Sequence, residues 1–220
     1  PTVTSPTIAD QIATLQKALP NLRWHRHDGI GTANRAAGLS QAAGAANLTP
    51  IYDFTKARRI ISFDSHFLFD EPGSVRYDRE FAHQRRIPFQ PFGPLATHRP
   101  NPTADAPGVH RPLPSADDLI RLYMAESTVT FTGAMADHRL PVKAGDIPHL
   151  AAAFARALQN QPLNLPAGHP DWTDWIHAAA DDLRAAGSAS LVLVGETQPP
   201  ELHALAHALA PALYRRGPLG

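Results

Sequence analysis

The sequence has no cysteine, and this absence excludes several kinds of functional centre. A chain without thiols holds no disulfide, no thiolate nucleophile and no cysteine-ligated zinc or iron–sulfur cluster. Any such centre that serves this protein must therefore lie in another segment or another subunit. The absence does not fix the compartment, because reducing and oxidising compartments both tolerate chains without cysteine.

An excess of charge of one sign is also missing, as is any long apolar run. Lysine plus arginine and aspartate plus glutamate number 20 each, so no net field draws the chain towards nucleic acid or acidic lipid. No apolar run approaches the ~18 residues of a membrane span. The 220 residues are 43% hydrophobic and 18% charged, which is typical of a folded core. The sequence predicts neither nucleic-acid binding nor direct membrane insertion.

Proline is concentrated in one stretch, residues 88–114, which holds eight prolines in 27 residues. Proline removes backbone donors and is excluded from helix interiors and central strands. We interpret the stretch as an excursion from the fold, whose exposed faces are either a docking surface or disordered. Because the sequence begins with proline and its last six residues carry no evident helix cap, we interpret residues 1–220 as one domain of a larger protein.

Short apolar segments alternate with helical patterns along the rest of the chain. Strands are predicted at residues 22–25, 60–63, 122–125 and 190–194, and helices at residues 33–46, 75–85, 147–158, 171–187 and from 199 onwards, after a first helix capped by Ser5. This alternation predicts a three-layer, Rossmann-like α/β domain with a mostly parallel sheet of about five strands. Ligands of such sheets bind outside the carboxyl ends of the strands, so we expect function in loops 28–32, 64–66, 126–132 and 195–198.

Two motifs have ordinary structural explanations that we favour. Gly29 and Gly31 are typical of a dinucleotide turn, but Asn34 stands where a third glycine is expected, so a plain tight turn fits better. His203 and His207 are spaced to share one helix face at metal-binding distance. Two ligands do not make a site, and the leucines beside them indicate the solvent boundary of a core helix. We predict no metal site.

A hydrolase is a more distant possibility. Ser65 follows a predicted strand, and Asp174 and His177 come later in the order found in some esterases. No glycine precedes Asp64 to make room for a tight nucleophile turn, and Asp174 also fits a role at a helix start.

Polar residues are densest just after the strand at 122–125. Thr128, Thr130, Thr132, Asp137 and Lys143 lie there, and their hydroxyls, charges and neighbouring backbone donors suit a phosphate or a ribose. A hydrogen-bonded turn region leading into a strand explains them equally well.

Residues 121–145 resemble the dinucleotide-binding domain of the molybdopterin oxidoreductase superfamily. Thr130, Thr132, Ala136, Asp137, Leu140, Pro141 and Gly145 match its motifs. Residues 52–57 and 190–209 resemble, in the right order, the approach to its first cofactor strand and its later strand and helix. If a molybdopterin guanine dinucleotide is retained, the resemblance implies that it is bound by Asp64, His66, Glu126, Thr128, Thr130, Thr132, Asp137, Lys143 and Gly145.

The chain departs from that family at positions that face the cofactor. Glu126, Ser127 and Thr128 stand in place of Asp-Pro-Arg, and Ile147 stands in place of an aspartate that could bind guanine. Asp64 replaces a glycine and would bring negative charge towards a pyrophosphate.

These departures resemble most closely the molybdopterin-like large subunit of alternative complex III, a bacterial quinol:electron acceptor oxidoreductase. The resemblance implies a periplasmic scaffold domain with no cofactor and no catalytic residue. Such a domain would dock the iron–sulfur part of the parent chain and the other subunits of a membrane-attached complex. The alternative is the dinucleotide-binding domain of an active molybdenum enzyme.

Overall fold

The computed structural model describes residues 5–25, 33–45, 48–85, 119–165 and 172–214. The described residues contain one sheet of four strands in the order β3-β2-β1-β4, and every neighbouring pair is parallel. The strands are β1 (Arg59–Phe63), β2 (Arg121–Glu126), β3 (His138–Pro141) and β4 (Ser190–Val194). The helices are α1 (Pro6–Ala18), α2 (Ala33–Ala43), α3 (Ser74–Gln84), α4 (Phe131–Ala134), α5 (Ile147–Leu158), α6 (Trp172–Ala186) and α7 (Pro200–Tyr214).

Helices cover both faces of the sheet, as the alternating pattern predicts. Ile61 and Phe63 of β1 point to the face covered by α5, α6 and α7, whereas Ile60 points to the face covered by α3. Successive strand residues alternate between faces, so a strand buried on both sides needs apolar residues throughout. The three-layer α/β fold is confirmed.

One predicted strand does not form. Residues 22–25 have no regular secondary structure, and all four are exposed. A four-residue segment without a neighbouring strand or a buried face gains too little to offset its ordering entropy. The sheet of the described residues therefore has four strands instead of about five. The turn at Gly29 and Gly31 and the proline-rich residues 88–114 lie outside the described residues.

The ends of several helices agree with their sequence signals. The Ser5 side chain accepts a hydrogen bond from the Ile8 amide at 3.5 Å, as an N-cap should. Gly187 has a φ of +56°, which confirms the predicted glycine after α6. Asp146 stands just before α5, as predicted, but makes no side-chain capping hydrogen bond there.

The strand order places a crevice at one edge of the sheet. From β1 the chain proceeds sideways to β2 and then β3, whereas β4 lies on the other side of β1. The loops that follow β1 and β4 therefore diverge, and in open parallel sheets this point is where ligands bind.

Candidate functional site

The crevice at the carboxyl edge of the sheet has a volume of about 390 Å³. Loops that follow three adjacent strands form its walls. Four of its eight lining residues are acidic and none of the eight is lysine or arginine; they are Asp64, His66, Asp70, Glu71, Ser127, Thr128, Glu196 and Thr197. The crevice thus lies where the sequence predicts function, but its charge is unsuited to an anion.

Asp64 follows β1 and forms hydrogen bonds to the loops on both sides of the crevice. Its φ of +57° is left-handed, a conformation that aspartate tolerates better than most residues. One carboxylate oxygen accepts the Ser127 backbone N–H at 3.1 Å, and the other accepts from the Gln198 side-chain amide at 3.1 Å. The Ser127 hydroxyl lies 3.3 Å from the first oxygen. The Asp64 carboxylate therefore links the loops after β1, β2 and β4.

Gly195 makes this linkage sterically possible. A Cβ at position 195 would lie 1.9 Å from the Asp64 carbonyl oxygen, far inside a contact distance. The amide of Gly195 donates to the Phe63 carbonyl at 2.9 Å. The backbones of the two diverging loops touch here, and only glycine permits that approach.

Glu71 is a second carboxyl group of the crevice, and it has lost much of its contact with water. Burial raises its pKa, while the Ser65 hydroxyl, which donates to Glu71 at 2.6 Å, opposes the rise. The negative charge of Glu196 raises the pKa further. Glu196 is itself paired with Arg35 of α2 at 2.7 Å. Like-charged carboxyls in a desolvated site favour a protonated form.

Three of the predicted cofactor residues line this crevice, namely Asp64, His66 and Thr128. His66 Nδ1 lies 3.5 Å from a carboxylate oxygen of Asp70. Lys143 and Gly145 follow β3 at the edge of the sheet, are exposed, and are not among the lining residues. The resemblance implies one site for all five residues. In the structure, Lys143 and Gly145 do not line the crevice that contains Asp64, His66 and Thr128.

Glu126, another residue of the predicted cofactor site, lies inside the fold. Its side chain is fully buried and accepts hydrogen bonds from the Thr130 hydroxyl at 2.7 Å and from the Arg139 guanidinium. A Cβ at Gly133 would lie 1.9 Å from a Glu126 carboxylate oxygen. Glu126 therefore anchors the loop after β2 from within.

The hydroxyls of Thr130 and Thr132, two further residues of the predicted site, also form hydrogen bonds within the chain. The Thr130 hydroxyl accepts the Gly133 amide at 3.0 Å and caps α4. The Thr132 hydroxyl is buried and accepts the Leu68 amide at 3.4 Å. Both residues line a separate groove beside the crevice.

Asp137 lies at the opposite edge of the sheet. It directly precedes β3, its carboxylate accepts the Leu122 amide at 2.8 Å near the start of β2, and it is paired with Arg85. An aspartate ahead of a parallel strand is a full strand length from the carboxyl edge. It is therefore not in the same crevice as Asp64.

The esterase-like arrangement is not formed in the described residues. Ser65 is buried and its hydroxyl donates to Glu71, whereas His177 is an exposed residue of α6. A nucleophile must hydrogen-bond to its base, and Ser65 has a carboxyl partner in that position.

The histidine pair on α7 separates into a buried and an exposed member. His203 is buried, and burial together with the charge of Arg35 lowers its pKa to about 4. His207 is exposed. Among the described residues, no three histidine or acidic side chains come close enough to bind a metal ion.

The acidic partners of the crevice were only partly predictable. Glu196 lies in loop 195–198, which the strand pattern marks as a ligand loop. Glu71 lies eight residues after β1, and no sequence signal distinguishes it from a surface residue. Arg35 belongs to α2, whose contact with the start of α7 depends on Gly38, where a Cβ would lie 2.2 Å from the Pro200 carbonyl oxygen.

No helix within the described ranges has both the length and the apolarity needed to cross a membrane.

No model of a known protein family matches the chain, and no curated protein matches it either.

Proposed function

We propose that this chain is a molybdopterin-oxidoreductase-like domain that holds no pterin dinucleotide. It serves as a scaffold in a quinol-oxidising electron-transfer complex on the periplasmic side of the bacterial inner membrane. The observation that carries the proposal is the Asp64 carboxylate, which is hydrogen-bonded to Ser127 and Gln198 inside the crevice. The resemblance of residues 121–145 suggests the family, and the acidic lining of the crevice, with its Ser127 N–H already bonded to Asp64, favours the cofactor-free branch of that family.

A pyrophosphate would compete with Asp64 for the same donors. Nucleotide sites at strand ends bind phosphate through free backbone N–H groups and a positive local potential. Here the Ser127 N–H already has an anionic partner, and three more acidic residues line the crevice. One phosphate charge about 4 Å from the Asp64 carboxylate would be opposed by roughly 4 kcal/mol at an effective dielectric constant of 20. Such a penalty lowers affinity by about a thousandfold.

Binding of a molybdopterin guanine dinucleotide is the second candidate, and the position of the crevice favours it. The crevice lies where the strand order reverses, which is the usual site for dinucleotides in such sheets. The Thr128 and Ser127 side chains could then contact the ligand, but only after Asp64 has released its donors.

Two measurements separate these candidates. Native mass spectrometry of the full-length protein from its natural source should give the mass of the polypeptide without a pterin dinucleotide. Calorimetric titration of this chain with guanosine diphosphate should give no binding for the wild type and measurable binding for Asp64→Gly, which suits the left-handed backbone and frees the Ser127 N–H. Asp181→Asn, which neutralises an exposed acid on α6, is the matched control and should behave as the wild type. A co-purified pterin dinucleotide would overturn the proposal.

A further inference from the structure

An apolar groove lies directly beside the acidic crevice. It has a volume of about 440 Å³, and its walls come from the loops after β1 and β2. Phe69, Val129 and Phe131 line it and are 65%, 69% and 72% exposed, respectively. The two phenyl rings lie 5.3 Å apart. Folded monomers rarely expose such a contiguous apolar group unless it contacts a partner.

Hydrogen bonds of the surrounding backbone fix the walls of the groove. Phe131 begins α4, which is fixed by the Thr130 cap. The Thr132 hydroxyl accepts the Leu68 amide and so ties α4 to the loop that carries Phe69. A preformed apolar surface of this kind loses little conformational entropy when a partner binds.

Among the residues that the structure describes, the charged side chains lining the groove and the adjoining crevice are acidic, apart from one histidine. His66 and Asp70 line both the groove and the crevice, so the two cavities share a wall. The described lining residues of the two cavities include four carboxyl groups, one histidine and no lysine or arginine. Arg35 pairs with Glu196, and its positive charge also acts on Glu71. A group that binds against the two phenyl rings would therefore lie near Asp70, in the wall that the two cavities share.

We propose that this groove docks a basic segment of a partner protein. An aromatic or large aliphatic side chain of that segment packs in the groove against the paired rings of Phe69 and Phe131. A neighbouring lysine or arginine reaches the carboxylates around Asp70. The apolar contact supplies affinity, charge complementarity selects the partner, and an arginine over a phenyl ring adds a cation–π contact. The inference rests on the proposed scaffold function, because it names the surface through which the scaffold holds a neighbour.

Selection from a displayed library of random dodecapeptides on the immobilised full chain tests this docking site. Enriched peptides should combine a large apolar residue with an adjacent lysine or arginine. Their affinity should fall at least tenfold for the double variant Phe69→Ser, Phe131→Ser, and several-fold for Asp70→Asn. Val75→Ser, which removes an exposed apolar residue from α3, is the matched control and should leave binding unchanged.

Three outcomes would overturn the inference. They are the absence of enriched peptides, enrichment of acidic or uncharged peptides, and binding that survives the double phenylalanine variant. Sedimentation of the chain alone tests a second copy as the occupant, and a dimer that dissociates in the double variant would replace the partner protein by self-association. Guanosine diphosphate binding reports on the crevice independently, so failure of the docking site and failure of the proposed function give different results.

Discussion

Substitution of Asp64 tests the two features that set this residue apart, its left-handed backbone and its hydrogen-bonded carboxylate. The carboxylate accepts from the Ser127 amide and from the Gln198 side chain. Hydrogen bonds to a charged group contribute about 1.5–3 kcal/mol when buried, and roughly 1 kcal/mol each is reasonable for the half-buried Asp64. A left-handed backbone costs an ordinary residue about 1–2 kcal/mol.

These contributions predict an order of stability. Asp64→Asn keeps an acceptor and a residue that tolerates positive φ, so the free energy of unfolding should fall by about 1 kcal/mol. Asp64→Ala loses both hydrogen bonds and adds backbone strain, for a loss of about 3.5 kcal/mol. Asp64→Gly avoids the strain, but its unfolded chain gains about 0.4–1 kcal/mol of conformational freedom. Its loss should be slightly smaller than that of the alanine variant.

Urea unfolding followed by far-ultraviolet circular dichroism measures these differences, provided that the slope with denaturant stays constant. Asp181→Ala is the control, because that exposed acid pairs only locally with Arg184 and its loss should cost less than about 0.5 kcal/mol. An alanine variant at position 64 that is as stable as the glycine variant would refute the left-handed backbone. An asparagine variant as unstable as alanine would show that the charge, and not the geometry, holds the loops.

Three further predictions concern other positions. Gly133→Ala should lower the free energy of unfolding by about 2–3 kcal/mol, because its Cβ would overlap the buried Glu126 carboxylate. Gly145→Ala is the control, since no atom of a non-neighbouring residue lies within 4 Å of the new Cβ. It should change the free energy of unfolding by less than about 0.5 kcal/mol in the same urea assay. Burial raises the pKa of Glu71, so the folded state keeps this proton to higher pH than the unfolded state. The contribution of protonated Glu71 to the free energy of unfolding is therefore present at acid pH and is lost as the pH rises through the folded-state pKa. Glu71→Gln should be more stable than the wild type at pH 7 and equal to it below pH 4. Equal stability of the two proteins at both pH values would contradict this. Burial lowers the pKa of His203 from 6.5 to about 4, so the unfolded state binds the proton first and stability should fall by roughly 2 kcal/mol between those pH values; in His203→Gln this part of the acid loss should disappear.

The fold was largely predictable because its signals are local. The segments at 60–63, 122–125 and 190–194 are short and apolar, and all three form buried parallel strands. Helix α5 occupies the predicted residues 147–158. The error at residues 22–25 has a different physical origin, because a strand exists only through its neighbours, and no strand of the described residues lies beside this segment.

The site was less predictable because it depends on topology. Loops after β1, β2 and β4 all lie at the carboxyl edge of the sheet, as the parallel pattern predicts, and so Asp64 and Thr128 line one crevice. The polar residues between β2 and β3 are close in sequence. Between them, however, the chain runs back from the carboxyl edge of the sheet, where β2 ends, to the amino edge, where β3 begins. Thr128 therefore stays at the carboxyl edge while Asp137 lies at the other edge. The buried Glu126 also escapes any sequence signal, because burial follows from the close approach of Gly133.

The Asp64 carboxylate pairs with a backbone donor of the neighbouring loop at a strand end. A strand end with free backbone donors is an anion site, and such donors are costly to bury unpaired. A bound phosphate can satisfy them, and so can an internal carboxylate, provided that the backbone turns far enough to aim the carboxylate back at the donors. The left-handed φ of Asp64 supplies that turn, and the glycine at position 195 leaves room for it. The carboxylate thus links the loops after β1, β2 and β4 without a ligand, as the proposed scaffold function would require.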